Sequence, residues 1–157
     1  MEGIKLTDLQ KTLVEKLGVV FEHAGSQPAP SRVLSLLLVA DNTELTFDEI
    51  WQTLKISKSA ASNAINLLLT TNKIEYITRT GNRKRYFRSR ITSWREEMRN
   101  SLHGLLHVSK LYQEVLDQRP KSTKEFNASL KDVIEFTEFL HQELDSIFLK
   151  WELRKKK

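Results

Sequence analysis

The chain has 157 residues, a formal net charge of +5, 39% apolar and 29% charged side chains, and no cysteine. That length suffices to bury a core, and the missing cysteine excludes a disulfide scaffold, a thiolate zinc site and a thiol nucleophile. The longest nearly unbroken apolar run, Val33 to Ala40, is far short of the ~20 residues that cross a bilayer. The start, Met1-Glu2-Gly3-Ile4-Lys5-Leu6, lacks the charged-then-apolar pattern of a secretion signal. The expectation is a cytoplasmic protein with no membrane partner.

Leu6, Leu9, Leu13, Leu17, Val20 and Phe21 recur at helical spacing, which predicts a helix from Leu6 to Ala24. Gly25-Ser26-Gln27-Pro28 reads as its stop, and Pro30-Ser31 as the opening of a second, apolar helix to about Ala40. Thr46 with Glu49 is a capping box for Phe47 to Leu54. Lys55-Ile56 is a turn, and Ser57 caps a helix from Lys58 to about Asn72. Ile74 to Arg79 alternates as a strand, Thr80-Gly81-Asn82-Arg83 turns, and Lys84 to Arg88 returns as a second strand. Two long helices come next, Ile91 to Arg119 and Ser122 to about Trp151, separated at Pro120. In the second, Phe126, Leu130, Val133, Thr137, Leu140, Leu144, Ile147 and Trp151 keep a heptad seam. The tail Arg154-Lys155-Lys156-Lys157 is expected to fray.

Charge is distributed unevenly. Residues 41–56 are net −3, while residues 57–90 hold eight basic side chains against Glu75 alone, net +7. The block coincides with a helix pair and a hairpin, the layout of a winged helix-turn-helix, whose second helix enters the major groove. The candidate recognition residues are Ser57, Lys58, Ser59, Ser62, Asn63 and Asn66, with Thr70 at the far end of the same face. They are mostly short hydrogen-bonding groups of the kind that read base edges. The candidate wing residues are Arg79, Asn82, Arg83, Lys84 and Arg85. Arg83 sits near the tip, and Arg79, Lys84 and Arg85 suit phosphates. Alternation puts Lys84, Tyr86 and Arg88 on one face of the hairpin and Arg85 and Phe87 on the other.

The segments Ser31-Arg32-Val33-Leu34, Leu45-Thr46-Phe47-Asp48-Glu49-Ile50, Ile56-Ser57-Lys58-Ser59-Ala60-Ala61-Ser62-Asn63-Ala64-Ile65-Asn66-Leu67-Leu68, Ile74-Glu75-Tyr76 and Gly81-Asn82-Arg83-Lys84-Arg85-Tyr86-Phe87 resemble the GbsR branch of the MarR-type regulators. The likeness covers about residues 6–90 closely and the last two helices in architecture. Gly81 stands where such wings often carry an Asp that braces the wing arginine. Ser31 and Ser35 stand where relatives often have Gly. The resemblance implies a homodimeric transcriptional regulator, mainly α with a small β component, bound to double-stranded DNA at a pseudo-palindromic operator. A small-molecule effector of unidentified chemistry is part of that expectation, and repression by occlusion is the expected outcome.

The long helices support a dimer independently, because they carry more apolar stripe than one wing domain can cover. The resemblance implies an N-terminal helix in residues 1–28 joining the dimer domain, with a winged helix-turn-helix in 29–90 and a C-terminal helical dimer domain in 91–157. The candidate dimerisation residues are Leu102, Leu105, Leu130, Val133, Leu140, Leu144, Ile147 and Trp151. The alternative is an adaptor that reuses the winged helix without reading DNA. The charge concentrated on the hairpin argues against it.

Other chemical signals are weak. His103 and His107 are four apart on a helix, but the intervening Gly104-Leu105-Leu106 lacks a metalloprotease glutamate. No metal and no cofactor is expected. No serine stands in a nucleophile elbow and no glycine-rich loop could cradle a phosphate. No enzyme is expected. Trp51 and Trp94 could line a ligand pocket, and aromatics at helical spacing are more often core.

Overall fold

A computed structural model describes residues 3–155, and all structural statements refer to these. They form two compact units, one up to Thr92 and one from Ser93.

The first unit is built around α2 (Pro28–Val39). The preceding helix, α1 (Asp8–His23), starts from a capping box in which the Thr7 hydroxyl accepts from Gln10 N–H and the Gln10 side chain accepts from Thr7 N–H. In the first turn of α1, Lys11 donates to Asp8 at 2.8 Å. That hydrogen bond, then the ammonium charge, holds the Asp8 carboxyl below its ordinary range. Pro28 opens α2 rather than stopping α1. Its missing N–H is harmless in a first turn, so the helix starts two residues earlier than the sequence predicts. Ser31 and Ser35 are buried because each hydroxyl donates to a carbonyl one turn back, of Gln27 and Ser31 respectively, both at 2.8 Å.

α1 lies in the same compact unit as the winged helix. α1 packs along α2, with Val14 and Gly18 buried. A Cβ on Gly18 would lie 2.5 Å from Arg32 Cδ, so the glycine leaves the slot through which Arg32 passes. The guanidinium pairs there with Glu15 at 3.0 Å and with Glu22.

Next come β1 (Leu45–Thr46), α3 (Phe47–Leu54), α4 (Lys58–Thr70), β2 (Ile74–Arg79) and β3 (Asn82–Ser89). The sheet is antiparallel in the order β1-β3-β2. The sequence pattern does not predict β1. Two residues are too few for an alternation signal, yet Leu45 pairs with Phe87 and Thr46 with Tyr86. The hairpin turn is also tighter than expected, since Asn82 and Arg83 already belong to β3. One contiguous core joins Val33, Leu36 and Leu37 of α2 to Leu45, Ile50, Ile65, Leu68, Ile74 and Phe87. Fully burying each such side chain contributes about 1.5–3 kcal/mol. The chain before α1 closes one end. Ile4 N–H donates to Thr53 Oγ1 at 2.9 Å, and Gly3 lies so close to Thr53 N that a Cβ would stand at 2.7 Å.

The second unit is a helical hairpin of α5 (Trp94–Gln118) and α6 (Lys124–Lys155), preceded by a short 3₁₀ turn at Ile91–Ser93. The turn explains why α5 starts three residues later than expected. Arg154 and Lys155 continue α6. The expectation for Lys156 and Lys157 falls outside the described residues.

Candidate nucleic-acid interface

α3 and α4 are joined by a turn that reverses on a left-handed residue. Lys55 has φ 54° and its N–H reaches Gln52 and Trp51 carbonyls, ending α3. Ser57 then caps α4, accepting from Ala60 N–H at 3.1 Å. Ala61, Ala64, Ile65 and Leu68 point into the core. Ser59, Asn63 and Asn66 are exposed and Ser62 is half-buried.

The six expected recognition residues are not equally available. Ser57 Oγ is the cap and lies 3.0 Å from Ser59 Oγ. Lys58 Nζ stands 5.1 Å from the centre of the Trp51 ring. Among the described residues, the side chains of Ser62, Asn63 and Asn66 have no hydrogen-bond partner.

The wing has two unlike faces. On the outer face Glu44 holds Arg79 at 2.8 Å and Arg88 at 3.6 Å. Arg88 also pairs with Glu75 at 2.7 Å. The Arg79 guanidinium stacks on Tyr86 at 4.3 Å. Tyr86 hydroxyl accepts from Asn82 Nδ2 at 2.8 Å, and Asn82 Oδ1 accepts from Lys84 N–H at 2.9 Å. Asn82 thus braces the tip where Gly81, at φ 79°, supplies the turn. Two arginines and two carboxylates meet on this face, and their charges cancel.

The inner face is different. Phe87 enters the core and Arg85 stacks on Tyr76 at 4.7 Å. Arg83, Lys84 and Arg85 line one wall of a hollow of about 340 Å³ whose other wall includes Ser62 and Asn66 of α4. Phe47, Ile65, Leu69 and Phe87 are its apolar lining. Asp48 is also in the lining, and its carboxylate accepts from Trp51 Nε1 at 3.1 Å. Arg83 has no ion-pair or ring partner among the described residues.

The structure therefore brings together Ser62, Asn66, Arg83, Lys84 and Arg85, with Asn63 one turn away from Ser59 and Asn66 on the exposed face of α4. It sets Arg79 apart, on the outer face in an ion pair. Sequence reasoning misses Glu44 and the Tyr76 and Tyr86 platforms. The signal for Glu44 is the acidic stretch 41–56, immediately before a basic block that needs partners.

In the second unit, Leu144 is buried at 5% exposure within the single chain. Leu102, Leu130, Leu140 and Trp151 are half-buried, and Leu105, Val133 and Ile147 are exposed. Val108, Leu111, Val115, Phe136 and Phe139, none of them singled out by the sequence, are exposed as well. Trp94 packs edge-on to Trp151, ring centres 5.3 Å apart, with Arg95 over Trp151 at 4.7 Å. Trp51 is half-buried in the first unit. His103 meets the ring of His141 on α6, centres 5.3 Å apart. Among the described residues no group of three or more His, Asp or Glu is placed to hold a metal ion, and no helix is long and apolar enough to cross a membrane.

No family model and no curated protein matches the chain. Solved structures do. The S. aureus MepR–DNA complex aligns over 81% of this chain and 91% of that one at 15% identity, with a TM-score of 0.40. A MarR protein from Peptoclostridium difficile aligns over 94% and 97% at 13% identity, with a TM-score of 0.41. Both scores are too low to bear on the fold. A crystal structure described as a transcriptional regulator reaches a TM-score of 0.73 at 19% identity, over 92% of this chain and 98% of that one. The three-stranded winged helix and the long terminal helices are thus a fold that this chain shares with a solved transcriptional regulator.

Proposed function

We propose that the chain is a homodimeric, sequence-specific DNA-binding transcriptional regulator of the GbsR type, acting in the cytoplasm as a repressor. The observation that carries this reading is the shared hollow. Unpartnered hydrogen-bonding groups of α4 and the cations of the wing's inner face line the same concavity, so one duplex can meet base-reading and phosphate-holding groups together. The likeness to a solved transcriptional regulator supports it.

The dimer is supported by apolar surface in each unit. Leu9, Leu13 and Val20 form an exposed stripe on α1, and Val108, Leu111, Val115, Phe136 and Phe139 are exposed on the hairpin. Contiguous exposed apolar surface marks interaction sites, and these residues are the candidates for one. Two copies would present two α4 helices to half-sites ~34–36 Å apart. An effector would act by binding better to one spacing of the heads than to another.

Fluorescence anisotropy with mixed genomic duplexes at two salt concentrations tests this, with mass measured by light scattering on the same sample. The expected result is a dimer whose affinity falls steeply with salt, since each phosphate neutralised adds about −0.9 to the slope of log K against log salt. A dimer with no affinity for DNA at low salt returns the adaptor reading.

A further inference from the structure

The chemistry left free on α4 is narrow. The helix carries no Arg, Gln, Asp or Glu. Guanine is read bidentately by Arg or Lys, and the one lysine of α4, Lys58, is engaged with the Trp51 ring. Cytosine is read by a carboxylate, which α4 lacks. What remains exposed and unpartnered is the pair Asn63 and Asn66. An asparagine amide matches the N6 donor and N7 acceptor of adenine, and no other base edge in the major groove offers that pair. The two asparagines are three residues apart, on one side of the helix and about 4.5 Å apart along its axis. Base pairs rise by about 3.4 Å. Two adenines one or two base steps apart fit that spacing.

We propose that each half-site is specified by two adenines, one read by Asn63 and the other by Asn66. This rests on the reading of α4 as the DNA-facing helix.

The test starts from duplexes selected by the full-length protein from a random pool. Each adenine of the selected half-site is then replaced by 7-deazaadenine, which keeps Watson–Crick pairing and removes the N7 acceptor. Binding is measured for the unaltered protein, Asn63→Ala and Asn66→Ala. Two adenines one or two steps apart should each cost the unaltered protein about 5- to 150-fold on replacement. Each loss should vanish in one asparagine variant and persist in the other. Both variants should keep the helical circular dichroism and the salt slope of the unaltered protein. A selected half-site built on G·C pairs, or deaza losses that neither asparagine controls, overturns the proposal while leaving DNA binding intact. Absence of duplex binding at low salt overturns the regulator reading, and this assignment with it.

Discussion

The two units use apolar residues in opposite ways. The first closes a core around α2, and Val33, Leu36, Leu45 and Ile50 are wholly buried. The second buries three large apolar side chains, Ile134, Leu144 and Phe148, while Phe136 and Phe139 stay 64% and 59% exposed. The first unit completes its core within a single chain, while Leu9, Leu13 and Val20 stay exposed on α1. The other presents a second apolar surface after its hairpin has formed. The contrast shows that helical periodicity marks which residues are apolar on a face and does not separate those the hairpin buries from those it leaves exposed.

The largest expected effect breaks the first side of the comparison. Leu36→Ala removes a wholly buried side chain from the core and should cost about 2–5 kcal/mol in denaturant unfolding. Next, Phe136→Asp should act on assembly rather than on the hairpin. Light scattering should show the dimer shifted to monomer, with a loss of about 2 kcal/mol or more in association if the residue is central. Helix content at equal concentration should persist. A helical dimer unchanged by this substitution would place the interface elsewhere.

Smaller effects sharpen the comparison on the surface of the first unit. Arg83→Ala should leave stability within about 0.5 kcal/mol. It should weaken binding to all duplexes alike and reduce the salt slope by about 1. Glu44→Gln should have the smallest and opposite effect. Releasing Arg79 from Glu44, while Arg88 keeps its closer partner Glu75, should steepen the salt slope by less than about 1. An unchanged slope would show that the outer wing face never meets the duplex.

Much of the first unit is legible in the sequence because its signals are local. The Thr46–Glu49 capping box, the Ser57 cap, and the alternation of β2 each involve residues within one turn or one strand. β1 escapes because two residues become a strand only by pairing with β3, some forty positions away. The site is legible as a set of residues but not as an arrangement. Counting charge gives +7 over residues 57–90 and cannot show that Glu44 and Glu75 occupy two of the arginines. In the second unit the heptad seam identifies a real apolar stripe. It cannot separate Leu144, buried in the hairpin, from Val133 and Ile147 on the same seam, which stay exposed, and it passes over Phe136 and Phe139.

The ladder from Glu44 through Arg79 to Tyr86 makes the wing a rudder. A polyanion feels little pull from the side where each guanidinium already faces a carboxylate, and strong pull from the side where Arg83 stands alone. Such one-sidedness acts at a distance, before any contact forms, and biases the angle at which the molecule and a charged rod first meet. Under the proposed function, the same carboxylate that lowers the total attraction would raise the fraction of encounters with the inner face turned toward the duplex.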